Sequence, residues 1–265
     1  MSPLDALILG IVQGLTEFLP VSSSGHLVIG QALLGVRVSG IAFEVTVHLA
    51  TTVAVLWVYR RRVTDLAVGA MHGNGASWSY IGLLALASIP AGLAGFFGRD
   101  FLQGYFERPA VAACLLLATG AMVWSVKYSA ETATKERPGP GAALWVGVAQ
   151  ALAIMPGVSR SGATLAVGTW RGVTATRMAE FSFLLSIPAI LGASALQLGA
   201  ARAELATNSW LVLAIGFVAA LFAGIVAIRI FVGMLRHQTF HWFAIYCWLA
   251  GGAYLIAALF VPRLR

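Results

Sequence analysis

Charge is what this sequence has least of. Asp, Glu, Lys and Arg make up 10% of its 265 residues, against roughly 25% in an ordinary soluble domain. With 59% hydrophobic residues and a mean hydropathy of +0.86, that scarcity excludes a soluble domain and points to an integral membrane protein. Cysteine is nearly absent too. Cys114 and Cys247 both lie in apolar runs, which argues against a disulfide framework or a metal pair and reads as two core thiols. No Gly-Lys-Ser/Thr loop of the Walker type occurs, which argues against a kinase or ATPase. Met1-Ser2-Pro3-Leu4-Asp5 has no basic stretch and Thr16-Glu17 interrupts the next apolar run, so no cleaved signal peptide is expected. The net charge of +7, from 17 Lys and Arg against 10 Asp and Glu, is scattered. It fits cations flanking membrane segments and no nucleic-acid footprint.

What is present is an internal repeat. A gapless shift of 137 positions sets Gly10-Ile11-Val12-Gln13 on Gly147-Val148-Ala149-Gln150. The same shift sets Val21-Ser22-Ser23-Ser24-Gly25 on Val158-Ser159-Arg160-Ser161-Gly162, and a shift of 136 lays Glu44-Val45-Thr46 on Glu180-Phe181-Ser182. Each half thus carries two short apolar pieces joined by a polar break, at 4–35 and at 142–171, followed by a span with an acid near its start. Each piece falls short of the ~20 residues needed to cross a bilayer. Paired short pieces in matching places of two repeats point to re-entrant hairpins lining a site. Full spans are expected at 41–59, 78–98, 109–127, 178–199, 210–235 and 242–260. The expected fold is an all-α polytopic membrane protein: six transmembrane helices plus two re-entrant helical hairpins in an inverted repeat. The first repeat covers 1–128, a linker 129–140, and the second repeat 141–265, together forming one membrane domain. The linker, mixing charge, Pro and Gly, is expected to carry few contacts, and 60–77 is expected to be a loop.

Nine loop cations (Arg60, Arg61, Arg62, Lys127, Lys135, Arg137, Arg171, Arg177 and Arg236) fall on one face. Six (Arg37, Arg99, Arg108, Arg202, Arg263 and Arg265) fall on the face that holds both termini. The positive-inside rule makes the nine-cation face cytoplasmic, so the first hairpin enters from outside and the second from the cytoplasm. Trp57, Tyr59, Trp78, Tyr80, Trp210 and Trp242, near span ends, read as interfacial anchors.

The chemistry concentrates at the two breaks. Gln13 and Glu17, four apart, share one helix face. An acid within an apolar run reads as a metal ligand or general base, or as a tether for Arg160. Ser22, Ser23 and Ser24 precede His26, a group able to act as acid, base or nucleophile near neutral pH; one of the hydroxyls is expected to cap the following helix. In the second half Pro156-Gly157 breaks the chain, and Ser159, Arg160, Ser161 and Thr164 open a helix. Free N–H groups, hydroxyls and a guanidinium there outline a phosphate site. Glu44 and His48, one turn apart, belong either to the cavity or to its support, and Glu180 reads as support. His72, His237 and His241 read as solvated.

The stretch Gln13-Gly-Leu-Thr-Glu17-Phe-Leu-Pro-Val-Ser-Ser-Ser-Gly-His26 resembles the first motif of the undecaprenyl-diphosphate phosphatases, the bacitracin-resistance family. Pro156-Gly-Val-Ser-Arg-Ser-Gly-Ala-Thr164 is similar to the family's second motif, and Glu180-Phe-Ser-Phe183 and the span pattern also match. The family's first acidic position admits Glu or Gln; Gln13 stands there, which removes a second carboxylate. The resemblance implies hydrolysis of undecaprenyl diphosphate to the monophosphate and phosphate at the outer face of the bacterial inner membrane, recycling the carrier for cell-wall synthesis and conferring bacitracin resistance. It implies Glu17, Ser23, His26 and Arg160 as catalytic residues and Ser22, Ser24, Ser159, Ser161 and Thr164 on the phosphates. A divalent cation, Mg2+ or Ca2+, would sit at Glu17 with Gln13. The expected partners are the polyprenyl diphosphate and membrane lipids, with no nucleic acid; a homodimer is left open. Type-2 phosphatidic-acid phosphatases share a Ser-Gly-His block but need a later His and Asp, and neither residue occurs between Arg160 and Arg236. The rival of another class is a lipid-phosphate flippase on the same inverted repeat, or an enzyme that also flips.

Overall fold

The structure, a computed structural model, describes residues 1–34, 40–98, 104–105, 108–205 and 209–261. Among them are eleven helices and no strand: α1 (Pro3–Phe18), α2 (Ser23–Leu34), α3 (Ile41–Val58), α4 (Arg60–Met71), α5 (Gly75–Phe97), α6 (Pro109–Thr132), α7 (Pro140–Leu152), α8 (Arg160–Trp170), α9 (Ala175–Leu205), α10 (Trp210–Arg236) and α11 (Trp242–Phe260). Six of these, α3, α5, α6, α9, α10 and α11, are long and apolar enough to cross a membrane. The polytopic all-α architecture is therefore the one expected from hydropathy. Four of the cations that fix the expected orientation, Arg37, Arg99, Arg263 and Arg265, lie outside the described residues.

Helix starts carry their local signals. Ser2 and Asp5 form a capping box at α1, Pro3, Pro109 and Pro140 occupy first-turn positions, and the Asn74 side chain accepts from the first N–H groups of α5. In such positions the missing proline N–H costs nothing.

The short helices dock through glycine. Helix α1 lies on α10, where a Cβ on Gly14 would stand 2.5 Å from the Ala220 carbonyl and one on Gly10 would stand 2.6 Å from that of Gly216. Helix α7 lies on α5, where a Cβ on Gly147 would stand 2.5 Å from the Ala87 carbonyl. Small residues permit this backbone approach, which drives helix association in lipid.

The two breaks meet each other. Gly157 has φ +96°, and a Cβ on Gly25 would stand 2.8 Å from its Cα. The Ser22 hydroxyl accepts from both Gly25 N–H (3.2 Å) and Gly157 N–H (3.1 Å). Thr119 of α6 donates to the Gly157 carbonyl at 2.8 Å and accepts from Ser159 N–H at 3.0 Å. Ser161 donates to the Leu19 carbonyl at 3.2 Å. Irregular backbone survives at such depth because every strand of it is answered by a neighbour.

Gly157→Ala is expected to destabilise the protein by about 1–3 kcal/mol from backbone strain alone, before its Cβ meets the Ala112 carbonyl. Gly92→Ala, whose Cβ meets nothing within 4 Å, should leave stability unchanged. Thermal unfolding in detergent compares the two; equal midpoints would remove the constraint.

Several expectations are corrected. The stretch 60–77 is no plain loop, since α4 fills most of it and packs on α5. The linker is anchored: Lys135 pairs with Val173 in an isolated parallel bridge, its Nζ donates to the Arg171 carbonyl at 2.9 Å, and Glu136 pairs with Arg177. Tyr80 is buried, with the Arg62 guanidinium 4.6 Å from its ring centroid, so it is no lipid-facing anchor. Trp57, Trp78, Trp210 and Trp242 are exposed. Only Cys247 is a core thiol; Cys114 is exposed on α6.

Candidate active site

The end of α1, the start of α2 and the start of α8 converge because their breaks interlock. At the point of convergence the Glu17 carboxylate is surrounded by donors. Arg160 Nη2 donates to its Oε1 at 3.0 Å, and Gln13 Nε2 (2.9 Å) and Ser23 Oγ (3.2 Å) donate to its Oε2. The Glu17 side chain is 8% exposed and that of Arg160 14%. Charges so withdrawn from water persist only when paired and hydrogen-bonded. Arg160 Nη1 also reaches the Ser182 carbonyl at 3.4 Å, across α9.

A cavity of about 330 Å³ opens on this cluster. Glu17, Ser22, Ser23, Ser24, Ser159 and Arg160 line one side of it. Glu44 and His48 of α3 line another, and Ala189, Ile190, Ser194 and Gln197 of α9 complete it. Polar residues make up most of its lining, with Ala189 and Ile190 as an apolar stretch of the α9 side.

Not every expected residue reaches the cavity. Ser161 and Thr164 are buried behind it; Thr164 Oγ1 donates to the Arg160 carbonyl at 2.7 Å and shares a 2.6 Å bond with Ser182 Oγ. They hold the helix start in place. Ser159 is the N-cap of α8 and accepts from Gly162 N–H, while Ser22 bridges the breaks. Gln13 turns its amide nitrogen to Glu17, which makes it a donor to the carboxylate and not a cation ligand in this arrangement.

His26 is directed elsewhere. Its Nδ1 lies 2.8 Å from the Ser22 carbonyl, its Nε2 lies 2.7 Å from the Tyr246 hydroxyl, and the two rings stack at 5.5 Å. A carbonyl at Nδ1 requires the proton there, and Nε2 is taken up by the Tyr246 hydroxyl. The imidazole beside the carboxylate is that of His48, whose Nδ1 stands 3.1 Å from Gln13 Nε2 and 3.7 Å from Glu17 Oε2. Its one signal in the sequence is a position one turn from Glu44. Glu180, the repeat counterpart of Glu44, lies outside this cavity and pairs with Arg62 at 2.9 Å. That agrees with a supporting role.

The duplicated positions have parted in chemistry. Gln13 has Glu17 and His48 as partners, whereas Gln150 is buried with both side-chain polar atoms unpartnered among the described residues. The residue matching Glu17 in the second half is Ile154.

Six helices long and apolar enough to cross a membrane, with a buried carboxylate, a guanidinium and serine hydroxyls gathered at two helix breaks, define a polytopic membrane protein with a polar candidate site. The sequence profile described as "Bacitracin resistance protein BacA" matches residues 6–253. Among its relatives, an undecaprenyl-diphosphatase of Desulfatibacillum aliphaticivorans is 38% identical, covering 96% of this chain and 98% of its own. One of Parabacteroides distasonis is 40% identical over 95% of this chain and 96% of its own. The chain belongs to the bacitracin resistance protein BacA family.

Proposed function

We propose that the protein hydrolyses undecaprenyl diphosphate to undecaprenyl phosphate and inorganic phosphate. The observation that carries this reading is Glu17, held between Arg160 and Ser23 at the mouth of one cavity. Phosphoryl transfer needs positioning and neutralisation of charge more than elaborate covalent machinery. Arg160 supplies a planar fork for phosphate oxygens. Ser23 Oγ, donating to Glu17, is placed to attack the terminal phosphorus as its proton passes to the carboxylate. The new O–P bond replaces the bond to the bridging oxygen, and undecaprenyl phosphate leaves. Water then attacks the phosphoserine, releasing phosphate and restoring the hydroxyl. The isoprenoid stays in lipid along the apolar side of α9.

A divalent cation belongs to this reading, held in part by the substrate's own phosphates. Among the described residues no group of three or more His, Cys, Asp or Glu is placed to hold one. Mg2+, however, is commonly bound by one or two carboxylates together with substrate phosphates, and Glu17 and Glu44 face one cavity. The cation would neutralise charge on the diphosphate. In this reading the two breaks belong to inverted repeats, and the cavity opens to the outer face of the bacterial inner membrane. The support is the cation asymmetry and the reciprocal docking of α1 on α10 and α7 on α5.

Purified protein in detergent should release phosphate from a polyprenyl diphosphate, and sealed right-side-out membrane vesicles should release it to the outer medium. No release in detergent would sink the enzymatic reading. Release confined to the lumen would reverse the orientation alone.

A further inference from the structure

A second polar cavity, of about 390 Å³, lies at the other end of α9 from the active site. Arg177 and Glu180 line it from the first turns of α9, Arg62 from α4, Tyr80 from α5, and Glu136 and Arg137 from the linker. The residues of α9 that face the active-site cavity begin at Ala189 and run to Gln197, so the nearest lining residues of the two cavities, Glu180 and Ala189, stand about 13 Å apart along the helix.

Its charges are unequal. The two carboxylates engage Arg62 Nε (2.9 Å) and Arg177 Nε. Those pairs, with the Tyr80 ring under Arg62, hold two guanidiniums in fixed places. Arg137 makes no hydrogen bond or ion pair among the described residues, so three guanidiniums face two acids. Across the linker a further cavity, of about 420 Å³, is lined by Lys135, Arg171 and Trp170 and by no acid. Trp78, near the start of α5, is exposed, and an exposed tryptophan at a span end marks the headgroup level of a bilayer.

We propose that the cavity formed by Arg62, Arg137 and Arg177 binds a phosphate-bearing anion: the headgroup of an anionic phospholipid in the leaflet opposite the active site, or free phosphate. Basic pockets between transmembrane helices take such headgroups, and a guanidinium fork matches phosphate geometry as an ammonium does not. The bound phosphate supplies the missing negative charge. It also ties α4, the linker and α9 together, so occupancy stabilises the joint between the two halves. This goes beyond the hydrolytic reading and does not depend on it.

The test is thermal unfolding of purified full-length protein in neutral detergent with added phosphatidylglycerol, phosphatidylcholine or inorganic phosphate. Phosphatidylglycerol should raise the unfolding midpoint by several degrees and phosphatidylcholine should not. Arg137→Ala should weaken the apparent affinity roughly 10- to 100-fold and leave phosphate release from polyprenyl diphosphate unchanged. Arg137→Lys, which keeps the charge and loses the fork, should fall between. If inorganic phosphate gives the Arg137-dependent shift and the lipid adds nothing to it, the ligand is free phosphate and the site stands. Equal shifts from both lipids, a full response in Arg137→Ala, or no shift with any anion would overturn it. Failure of wild-type phosphate release would strike the hydrolytic reading and leave this readout intact.

Discussion

Replacing Arg160 by lysine is expected to lower phosphate release roughly 100- to 1000-fold, the loss typical when one donor aimed at developing charge is removed. Arg160 reaches in two directions at once: Nη2 to Glu17 Oε1 at 3.0 Å and Nη1 to the Ser182 carbonyl at 3.4 Å. A lysine can replace one of those contacts but cannot present two parallel donors to a phosphate while keeping its place. The variant retains the positive charge beside Glu17, so the buried pair is not broken and the protein should still insert and remain monodisperse. Phosphate release per folded molecule, with unfolding followed in parallel, is the measurement. Near-normal release would make Arg160 a strut between α1 and α9, and the site assignment would fail.

Glu17→Gln should be comparably severe, with a loss of roughly 100- to 10,000-fold, the range for removing a positioned acid or base. Three donors converge on this carboxylate, from Gln13, Ser23 and Arg160. A glutamine keeps the shape but brings its own N–H2 against at least one of them and leaves Arg160 without its counter-charge. Breaking a buried pair from one side typically costs about 3–5 kcal/mol, so stability should fall together with activity. The activity loss must exceed the unfolded fraction to count. Glu17→Asp separates the effects: it keeps the charge, shortens the reach to Ser23, and should recover stability more fully than turnover. If Glu17→Gln stays active while folded, the carboxylate only tethers Arg160, and Ser23 is activated by another group.

The spans and the two breaks were legible because apolar length and the Pro, Gly and Ser pattern are local properties. The meeting of Glu17 with Arg160 followed from one further fact, that the breaks occupy equivalent places in two similar halves. What depended on long-range docking was not legible. His26 sits three residues from Ser23 on one helix, yet its ring is claimed by Tyr246, 220 residues away in sequence. His48 reaches Glu17 because α1 and α3 touch each other and both lie against α10. The three arginines at 60–62 read as a loop, because charge near a span end signals an interface whether or not the backbone there is helical. The linker read as free because its partners, Arg177 for Glu136 and Val173 for Lys135, lie about 40 residues on in sequence.

The docking of α1 on α10 also sets a schedule. The glycine face of α1 is made about 200 residues before its seat, which runs from Gly216 to Gly224. At about 5–20 residues per second, the first helix waits roughly 10–40 seconds before it can be seated. Throughout that interval it is a short helix without its main packing partner, so its retention falls to α2, α3 and the insertion machinery. A chain that stops before α10 has every residue of the Glu17–Ser23–Arg160 cluster already made, yet lacks the helix on which α1 makes its closest backbone approach.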